Sequence, residues 1–333
     1  MEIRELLLAA GISAAVVLLL GPLLVPLLRR LRVGQRVRDD GPRAHLVKQG
    51  TPTMGGLLFI VAAVFASTLA MAVSPERFSP DIAPQLRLGL LLLATLGYGI
   101  LGFIDDFRKV VLRRPLGLRA REKLAGQLLI ALVLFYVAVN HLGQSTAISF
   151  PGGLINYELG PAYVLLVVVI LLGTSNAVNL TDGLDGLAAG LSVFAYGAYG
   201  VMGYYLGLTE VAIFASAMAG GCLAFLAFNY YPARIFMGDT GSLALGGGLG
   251  AVAILSKTEF ILPILGGVFV IETLSVMIQV LYFRATGGKR IWRMSPLHHH
   301  YELVGYHEVQ VVHRFWLFGL LLAFLSIILV IGG

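Results

Sequence analysis

Cysteine is nearly absent from this sequence, and charged residues are scarce. Cys222 is the only cysteine among 333 residues, so no disulfide can form within the chain and a cysteine metal site is not expected. Only 13% of the residues are charged and 58% are hydrophobic, and the mean hydropathy is +0.86. A soluble core of this size cannot hide so much apolar surface, so the composition indicates a membrane protein.

A cleavable secretory signal is also not expected. The first 28 residues are largely apolar, but Glu2, Arg4 and Glu5 make the leading end slightly acidic, and the positive cluster follows the apolar run. That order is the reverse of a cleaved signal. The segment is predicted to be a first span whose N-terminus lies outside.

Ten helical spans are predicted, so the fold class is an all-α integral membrane protein with a single domain, residues 1–333. The ninth span contains Gly266, Gly267 and Glu272, which favours a break or a tilt, and residues 141–160 favour a small hairpin. The predicted spans are residues 5–28, 54–73, 86–104, 124–140, 161–178, 187–206, 210–228, 241–256, 261–283 and 314–333.

Lysine and arginine are rare in one of the two sets of loops. Only Arg4, Arg77, Arg87 and Lys257 belong to that set, and the other 20 of the 24 basic residues lie on the opposite side, within 29–48, 108–123, 234 and 284–314. Basic loops face the cytoplasm, so both termini are predicted outside. The net charge of +6 would fit anionic partners, but no nucleic-acid partner is expected of a membrane protein.

Asp105 and Asp106 are adjacent near the predicted inner end of the third span. Two carboxylates at a membrane boundary are costly unless they meet cations. A divalent metal, or phosphate with metal, is the usual compensation. The alternative is a plain helix end with Arg108 and Lys109 as local counter-ions.

A second motif, Asn-Leu-Thr-Asp-Gly-Leu-Asp-Gly, occupies residues 179–186 between spans five and six. Asp182 and Asp185 would share a face if the segment formed a helical turn, and its glycines allow close approach of a ligand. An Asx-turn followed by a helix N-cap is the alternative. That alternative explains one aspartate better than two aspartates and Asn179.

A third motif leads into the eighth span, where Asp239, Thr240 and Ser242 lie at the predicted helix start. Free N–H groups and the helix dipole favour an anion there, and an aspartate at the same place suggests a metal that bridges to phosphate. Phe236 is suited to stacking on a flat base. An ordinary N-cap is the alternative for Asp239.

Two further motifs lie on the basic side. Residues 295–302 read Ser-Pro-Leu-His-His-His-Tyr-Glu, and imidazoles beside phosphate can donate hydrogen bonds or carry charge; a solvated loop is the alternative. Residues 48–56 begin with Lys48 and contain four turn-forming glycines and prolines. This loop does not match the nucleotide P-loop, and alone it favours a turn and a helix start.

Together the five motifs favour phosphoryl transfer with Mg²⁺, in which positioning and charge neutralisation supply most of the catalysis. A transporter or lipid flippase is the alternative from another class. It would place acids near the midplane, where Glu272 alone is expected. A structural scaffold would not need so many carboxylates.

These segments resemble the family of phospho-N-acetylmuramoyl-pentapeptide transferases, within the superfamily of polyprenyl-phosphate N-acetylhexosamine-1-phosphate transferases. The resemblance covers the whole chain and implies a bacterial plasma-membrane enzyme. Its donor would be UDP-N-acetylmuramoyl-pentapeptide (UDP-MurNAc-pentapeptide), its acceptor undecaprenyl phosphate, its products lipid I and UMP, and its cofactor Mg²⁺. A homodimer is also implied. A peptide-free UDP-N-acetylhexosamine is the alternative donor.

The resemblance also implies roles for individual residues. Asp239 would be the Mg²⁺ ligand, and Asp105, with Asp106 beside it, would activate the lipid phosphate. His298 and His299 would be catalytic, and Phe236 would stack under uracil. The other implied substrate-binding residues are Lys48, Lys109, Lys123, Asn179, Asp182, Asp185, Asn229, Gln279 and His300.

Overall fold

The computed structural model describes residues 3–30, 48, 50–74, 81–114, 116–149 and 156–332. Most of these residues are helical, and two short strands and a 3-10 turn (Gly160–Ala162) separate the fourth and fifth helices. The helices are α1 (Ile3–Arg30), α2 (Gly56–Val73), α3 (Ala83–Val110), α4 (Ala120–Asn140), α5 (Tyr163–Thr181), α6 (Leu187–Tyr205), α7 (Thr209–Asn229), α8 (Gly238–Leu255), α9 (Leu262–Leu265), α10 (Gly267–Ala285), α11 (Leu297–Val304) and α12 (Glu308–Ile331).

Ten helices within these described ranges are long and apolar enough to cross a membrane, namely α1 to α8, α10 and α12. This confirms the predicted number of spans and their approximate positions. Many large apolar side chains point away from the bundle; Leu19, Leu23 and Leu165 are 72%, 70% and 66% exposed. Because water would penalise such a surface, the protein is a multi-pass membrane protein.

Two predicted boundaries were each wrong by six residues. Helix α3 continues to Val110, so Asp105 and Asp106 lie within the helix rather than at its end. At about 1.5 Å per residue, α3 is longer than the thickness of a hydrocarbon core of about 30 Å. Helix α12 begins at Glu308 rather than at residue 314. Its first turn is polar, so the hydropathy pattern did not include that turn in the predicted span.

Two irregular features were predicted correctly. The ninth span is interrupted, with α9 ending at Leu265 and α10 beginning at Gly267. The hairpin consists of β1 (Ala147–Ser149) and β2 (Asn156–Glu158), paired antiparallel so that Ile148 faces Tyr157. The basic residues at positions 32–43 and Arg77 lie outside the described residues.

Helix α8 lies at the centre of the bundle. In its most apolar stretch 89% of the residues are buried, against 22% in α4 and in α12. Helix α3 approaches it so closely that a Cβ atom added to Gly102 would lie 2.0 Å from the carbonyl oxygen of Asp239. Small residues allow such contact between membrane helices, and here the contact brings the two aspartates of α3 to the first turn of α8.

Candidate active site

Asp106 binds the N-terminus of α8. Its carboxylate accepts hydrogen bonds from the backbone N–H of Asp239 (3.2 Å), the backbone N–H of Thr240 (2.9 Å) and the Thr240 hydroxyl (2.7 Å). These amide groups belong to the first turn of α8, whose N–H groups have no partner within the helix. Asp106 is buried, so it satisfies these donors and complements the positive end of the helix dipole.

Asp239 and Asp105 share a lysine. The Lys109 ammonium lies 2.5 Å from Asp105 Oδ2 and 3.0 Å from Asp239 Oδ2, and Lys123 Nζ also lies 3.0 Å from Asp239 Oδ2. Asn179 donates to Asp239 Oδ1 at 2.9 Å. Asp105 is fixed on its other oxygen by the backbone N–H of Leu118, at 2.6 Å. Helices α3, α4, α5 and α8 therefore converge on one carboxylate.

A second polar group lies around Lys48. Its ammonium is 2.7 Å from Asp185 Oδ1 and 2.5 Å from Glu308 Oε1, and Glu308 Oε1 also accepts from the backbone N–H of Asp185. Desolvation alone would lower the pKa of Lys48, but the two carboxylates outweigh it and raise that pKa above its ordinary value. Lys48 therefore keeps its positive charge at neutral pH.

The segment that contains Asp182 and Asp185 is a short turn between α5 and α6, as the predicted spans imply. Asp185 Oδ2 accepts from the backbone N–H of Ala233 at 2.9 Å. The Asn229 side chain accepts from Gly186 N–H at 3.2 Å and donates to the Ile235 carbonyl at 2.9 Å. These contacts join the turn to the segment that precedes α8.

Asp182 interacts electrostatically with members of both polar groups. Desolvation, followed by the negative charges of Asp239, Asp106 and Asp185, raises the pKa of its carboxyl well above the ordinary value, and Lys48 offsets only part of this. Its electrostatic coupling to members of both groups indicates one continuous site.

The loop that begins at Lys48 is bound to the segment before α8 through backbone contacts. Phe236 N–H donates to the Pro52 carbonyl at 2.8 Å, and Gly55 N–H donates to the Phe236 carbonyl at 2.9 Å. The Phe236 side chain is half-buried, so part of its ring remains accessible beside the site.

The three histidines lie on α11 rather than in a loop. His298 is fully buried and faces Glu272 of α10. His299 Nδ1 lies 2.9 Å from Glu302 Oε2, and His300 Nδ1 accepts from the backbone N–H of Arg293 at 3.2 Å. The three imidazoles thus have three different environments.

The Gln279 side chain, on α10, binds backbone groups of the segment that follows this helix. Its side-chain oxygen accepts from the backbone N–H groups of Ile291 (3.0 Å) and Trp292 (3.2 Å), and its amide donates to the Trp292 carbonyl (2.8 Å). The side chain holds the segment after α10, and a substrate would have to share these hydrogen bonds or displace them.

The charge balance of the site indicates what it can accept. Among the residues that the structure describes there, six carboxylates face three ammonium groups, which leaves three excess negative charges if all are ionised; the groups are Asp105, Asp106, Asp182, Asp185, Asp239, Glu308, Lys48, Lys109 and Lys123. A phosphate ligand would be repelled by such a site unless cations accompanied it. The oxygen donors beside Asp239, with no sulfur among them, suit Mg²⁺.

Within the described ranges, no group of three or more histidine, cysteine, aspartate or glutamate side chains is arranged as a metal site. Mg²⁺ is commonly bound through one or two carboxylates together with substrate phosphates rather than in an all-protein cage. The donor set around Asp239 and Asp105 therefore fits a cation that binds with a phosphate substrate.

Comparison with known proteins identifies the family. The family model described as glycosyl transferase family 4 matches residues 88–257, and signature 1 of the phospho-N-acetylmuramoyl-pentapeptide-transferases matches residues 48–60. Proteins of that name from Anoxybacillus flavithermus and Halalkalibacterium halodurans are each 52% identical to this chain over 98% of both chains. One from Bacillus subtilis is 53% identical over 93% of both. The chain belongs to the phospho-N-acetylmuramoyl-pentapeptide-transferase family.

The family signature starts at Lys48 and covers the loop whose contacts reach Asp185, Glu308 and Phe236. Sequence reasoning missed Glu308 as a partner of Lys48 and Thr240 as a partner of Asp106. Glu308 follows Lys48 by 260 residues, and no local pattern predicts such a pairing. The signal in the sequence that could have indicated Glu308 is the polar first turn of α12, a helix that is otherwise apolar.

Proposed function

We propose that the protein transfers phospho-MurNAc-pentapeptide from UDP-MurNAc-pentapeptide to undecaprenyl phosphate. The products are lipid I and UMP, and the reaction is the first membrane step of peptidoglycan synthesis. The observation that carries the proposal is the convergence of Asp105, Asp239 and Lys109 beside the Lys48 and Asp185 pair, in a chain of this family.

In the proposed reaction, an oxygen of the acceptor phosphate forms a bond to the sugar-linked phosphorus of the donor. The P–O bond to the uridine-linked phosphate breaks, and UMP leaves with that oxygen. Lys109 and Lys123, both 3.0 Å from Asp239, would attract the phosphates, and Asp105 would orient the acceptor phosphate. In the two-step alternative, an aspartate oxygen forms a bond to that phosphorus as UMP leaves, and the acceptor oxygen then forms its bond as the aspartate–phosphorus bond breaks.

The nucleotide would bind between the turn of residues 182–186 and the loop of residues 48–56. Asn179, Asp182, Asp185 and Lys48 would hold its polar groups, and the accessible part of the Phe236 ring would stack under uracil. Asn229 would act by holding the turn, since both ends of its amide bind backbone groups.

We propose that Asp239 holds Mg²⁺, with the Ser242 hydroxyl as a neighbouring oxygen. The Asn179 amide donates to Asp239 at 2.9 Å and to Ser242 at 2.8 Å, and so holds the two side chains together. The ion, when bound, would neutralise charge on the donor phosphates. The protein's own contribution is to hold Asp239 at a fixed position and to supply two lysines that attract the same anionic groups.

The acceptor's hydrocarbon chain requires an apolar path beside the site. A cavity of about 300 Å³ lies between α10, α11 and α12, with Val268, Ile271, Phe315 and Phe318 among its lining residues and Arg314 as its cation. We propose that part of the polyprenyl chain occupies it.

The site is proposed to face the cytoplasm, with both termini outside, because most basic loops lie at the same end of the bundle as the carboxylates. The cytosolic donor would then enter directly from water. Labelling of single cysteines, introduced at Arg114 and at Gly143 into a Cys222→Ser background, tests this in sealed vesicles. Reaction of both positions from the same side would contradict it.

A homodimer is proposed from the resemblance, and mass measurement in detergent tests it.

The activity is tested by measuring UMP release from purified protein with UDP-MurNAc-pentapeptide, undecaprenyl phosphate and Mg²⁺. UMP is expected only when donor and acceptor are both present. Competition with UDP-N-acetylglucosamine tests the choice of donor: a peptide-free sugar used equally well would favour the alternative transferase. No UMP, under conditions in which a control enzyme of the family works, would contradict the proposal.

A further inference from the structure

Glu272 is a fully buried carboxylate on a helix that is mostly exposed to lipid. Its side chain has 0% exposure, whereas only 28% of the most apolar stretch of α10 is buried. Ionisable residues inside spans are costly and normally have a partner that explains them. Here that partner is the first histidine of α11.

Glu272 contacts His298 in two ways. The backbone N–H of His298 donates to Glu272 Oε1 at 3.2 Å, and His298 Nδ1 lies 3.3 Å from Glu272 Oε2. The first contact is a hydrogen bond that holds the first turn of α11. The second is a close approach without hydrogen-bond geometry, since Nδ1 and Oε2 are both buried and have no hydrogen-bond partner among the residues that the structure describes. A carboxylate accepts hydrogen bonds, so its position favours a proton on Nδ1 and leaves Nε2 as the bare, basic nitrogen of a neutral ring.

His298 Nε2 lies against the turn that contains Asp182 and Asp185. A Cβ atom added to Gly183 would lie 2.3 Å from this nitrogen, so only glycine allows the imidazole to approach the turn so closely. Nε2 is buried and has no hydrogen-bond partner among the residues that the structure describes. A buried polar atom without a partner is unusual and calls for a functional explanation.

We infer that Glu272 is a positioning residue for His298, and that it sets the tautomer in which His298 presents a bare Nε2 to the nucleotide-binding turn. The inference rests on the proposed function, because that function makes the turn a binding element. In this arrangement Nε2 accepts a hydrogen bond from the bound donor substrate or from its water shell. Glu272 itself does not contact substrate.

Glu272→Gln separates this role from a purely structural one. The glutamine oxygen can still accept from the His298 N–H, but its NH₂ group then faces Nδ1 and favours the opposite tautomer. We expect kcat for UMP release to fall about 10- to 100-fold, the range found when the group that orients a functional histidine is removed. The melting temperature should change little, whereas the KM for the donor should rise, because Nε2 no longer accepts a hydrogen bond from the bound substrate.

The tautomer is measured directly by ¹⁵N NMR of histidine-labelled protein, in which protonated and bare ring nitrogens have well-separated chemical shifts. The His298 signals are assigned by their loss in His298→Gln. Wild type should show a protonated Nδ1, and Glu272→Gln a protonated Nε2. Glu122→Gln is the matched control, because Glu122 pairs with Arg108 at 2.9 Å and its side chain is 45% exposed.

Gly183→Ala tests the same contact from the other side, since its Cβ would displace the ring, and it should also lower kcat. Unchanged kcat and an unchanged tautomer in Glu272→Gln would overturn the inference, as would a fall in kcat with no change of tautomer. If wild type releases no UMP, the proposed function fails, while the NMR experiment still decides whether Glu272 sets the tautomer.

Discussion

Asp106 is held by three donors from the first turn of α8. The sequence predicted a catalytic carboxylate, and nothing in its local motif indicates a helix that starts 132 residues later. Its partners are distant in sequence because α3 and α8 meet only in the folded bundle. Among the predicted catalytic residues, Asp105 and Asp239 are better placed to contact substrate, because each has an oxygen that faces a lysine, whereas Asp106 binds, among the described residues, only groups of the first turn of α8.

Asp106→Ala is expected to destabilise the protein by about 1–2 kcal/mol, the effect of removing a helix N-cap. Asp106→Asn should cost less, because its side-chain oxygen still accepts a hydrogen bond. Thermal melts in detergent measure the difference. If Asp106→Ala melted like wild type and lost all activity, Asp106 would act in catalysis and not in capping.

Asp182→Asn is expected to stabilise the protein in a pH-dependent way. The folded-state pKa of Asp182 is raised, so ionisation of this carboxyl costs stability. That cost is absent below the ordinary pKa of about 4, grows as the pH rises toward the folded-state pKa, and is complete above it. The variant should therefore melt at a higher temperature than wild type at pH 8, with the difference vanishing near pH 4, in buffer without divalent cations. A difference that was largest at low pH would contradict this.

At the scale of elements, the approach of α3 to α8 determines where the carboxylates meet. Hydropathy predicts both helices, because each span depends on its own composition. Hydropathy does not predict the distance between the two helices, which is short because Gly102 has no side chain at the contact. The same limit applies to α11: the predicted spans left the three histidines in a loop, whereas they lie on a short helix that follows Pro296 and whose first turn binds Glu272.

Gly102→Ala should separate α3 from α8, because its Cβ would lie 2.0 Å from the backbone oxygen of Asp239. We expect loss of UMP release and a lower melting temperature. Gly89→Ala, on the same helix, is the control: nothing lies within 4 Å of its added Cβ, and alanine is the better helix former by about 0.5–1 kcal/mol. Equal effects of the two substitutions would show that the close contact does not matter.

For the whole molecule, the sequence predicted the ten spans, the hairpin, the broken ninth span and the gathering of polar motifs at one end. Each of these follows from local composition or from spacing. The pairings of Lys48 with Glu308 and of His298 with Glu272 were not predictable, since they join segments that are far apart in the chain. The binding site of the acceptor's hydrocarbon chain, the orientation of the protein in the membrane and the binding of Mg²⁺ remain predictions.

The central claim is that Asp239, at the meeting point of four helices, holds the cation that allows an anionic donor and an anionic acceptor to react. Its most direct test is the Mg²⁺ dependence of UMP release by wild type and Asp239→Asn, with Glu122→Gln as control. Wild type and the control should respond alike to Mg²⁺, and Asp239→Asn should be slower by at least about 10²–10³-fold at saturating Mg²⁺, as expected when a preorganised electrostatic group is lost. A near-wild-type rate with the same Mg²⁺ response in Asp239→Asn would contradict the account.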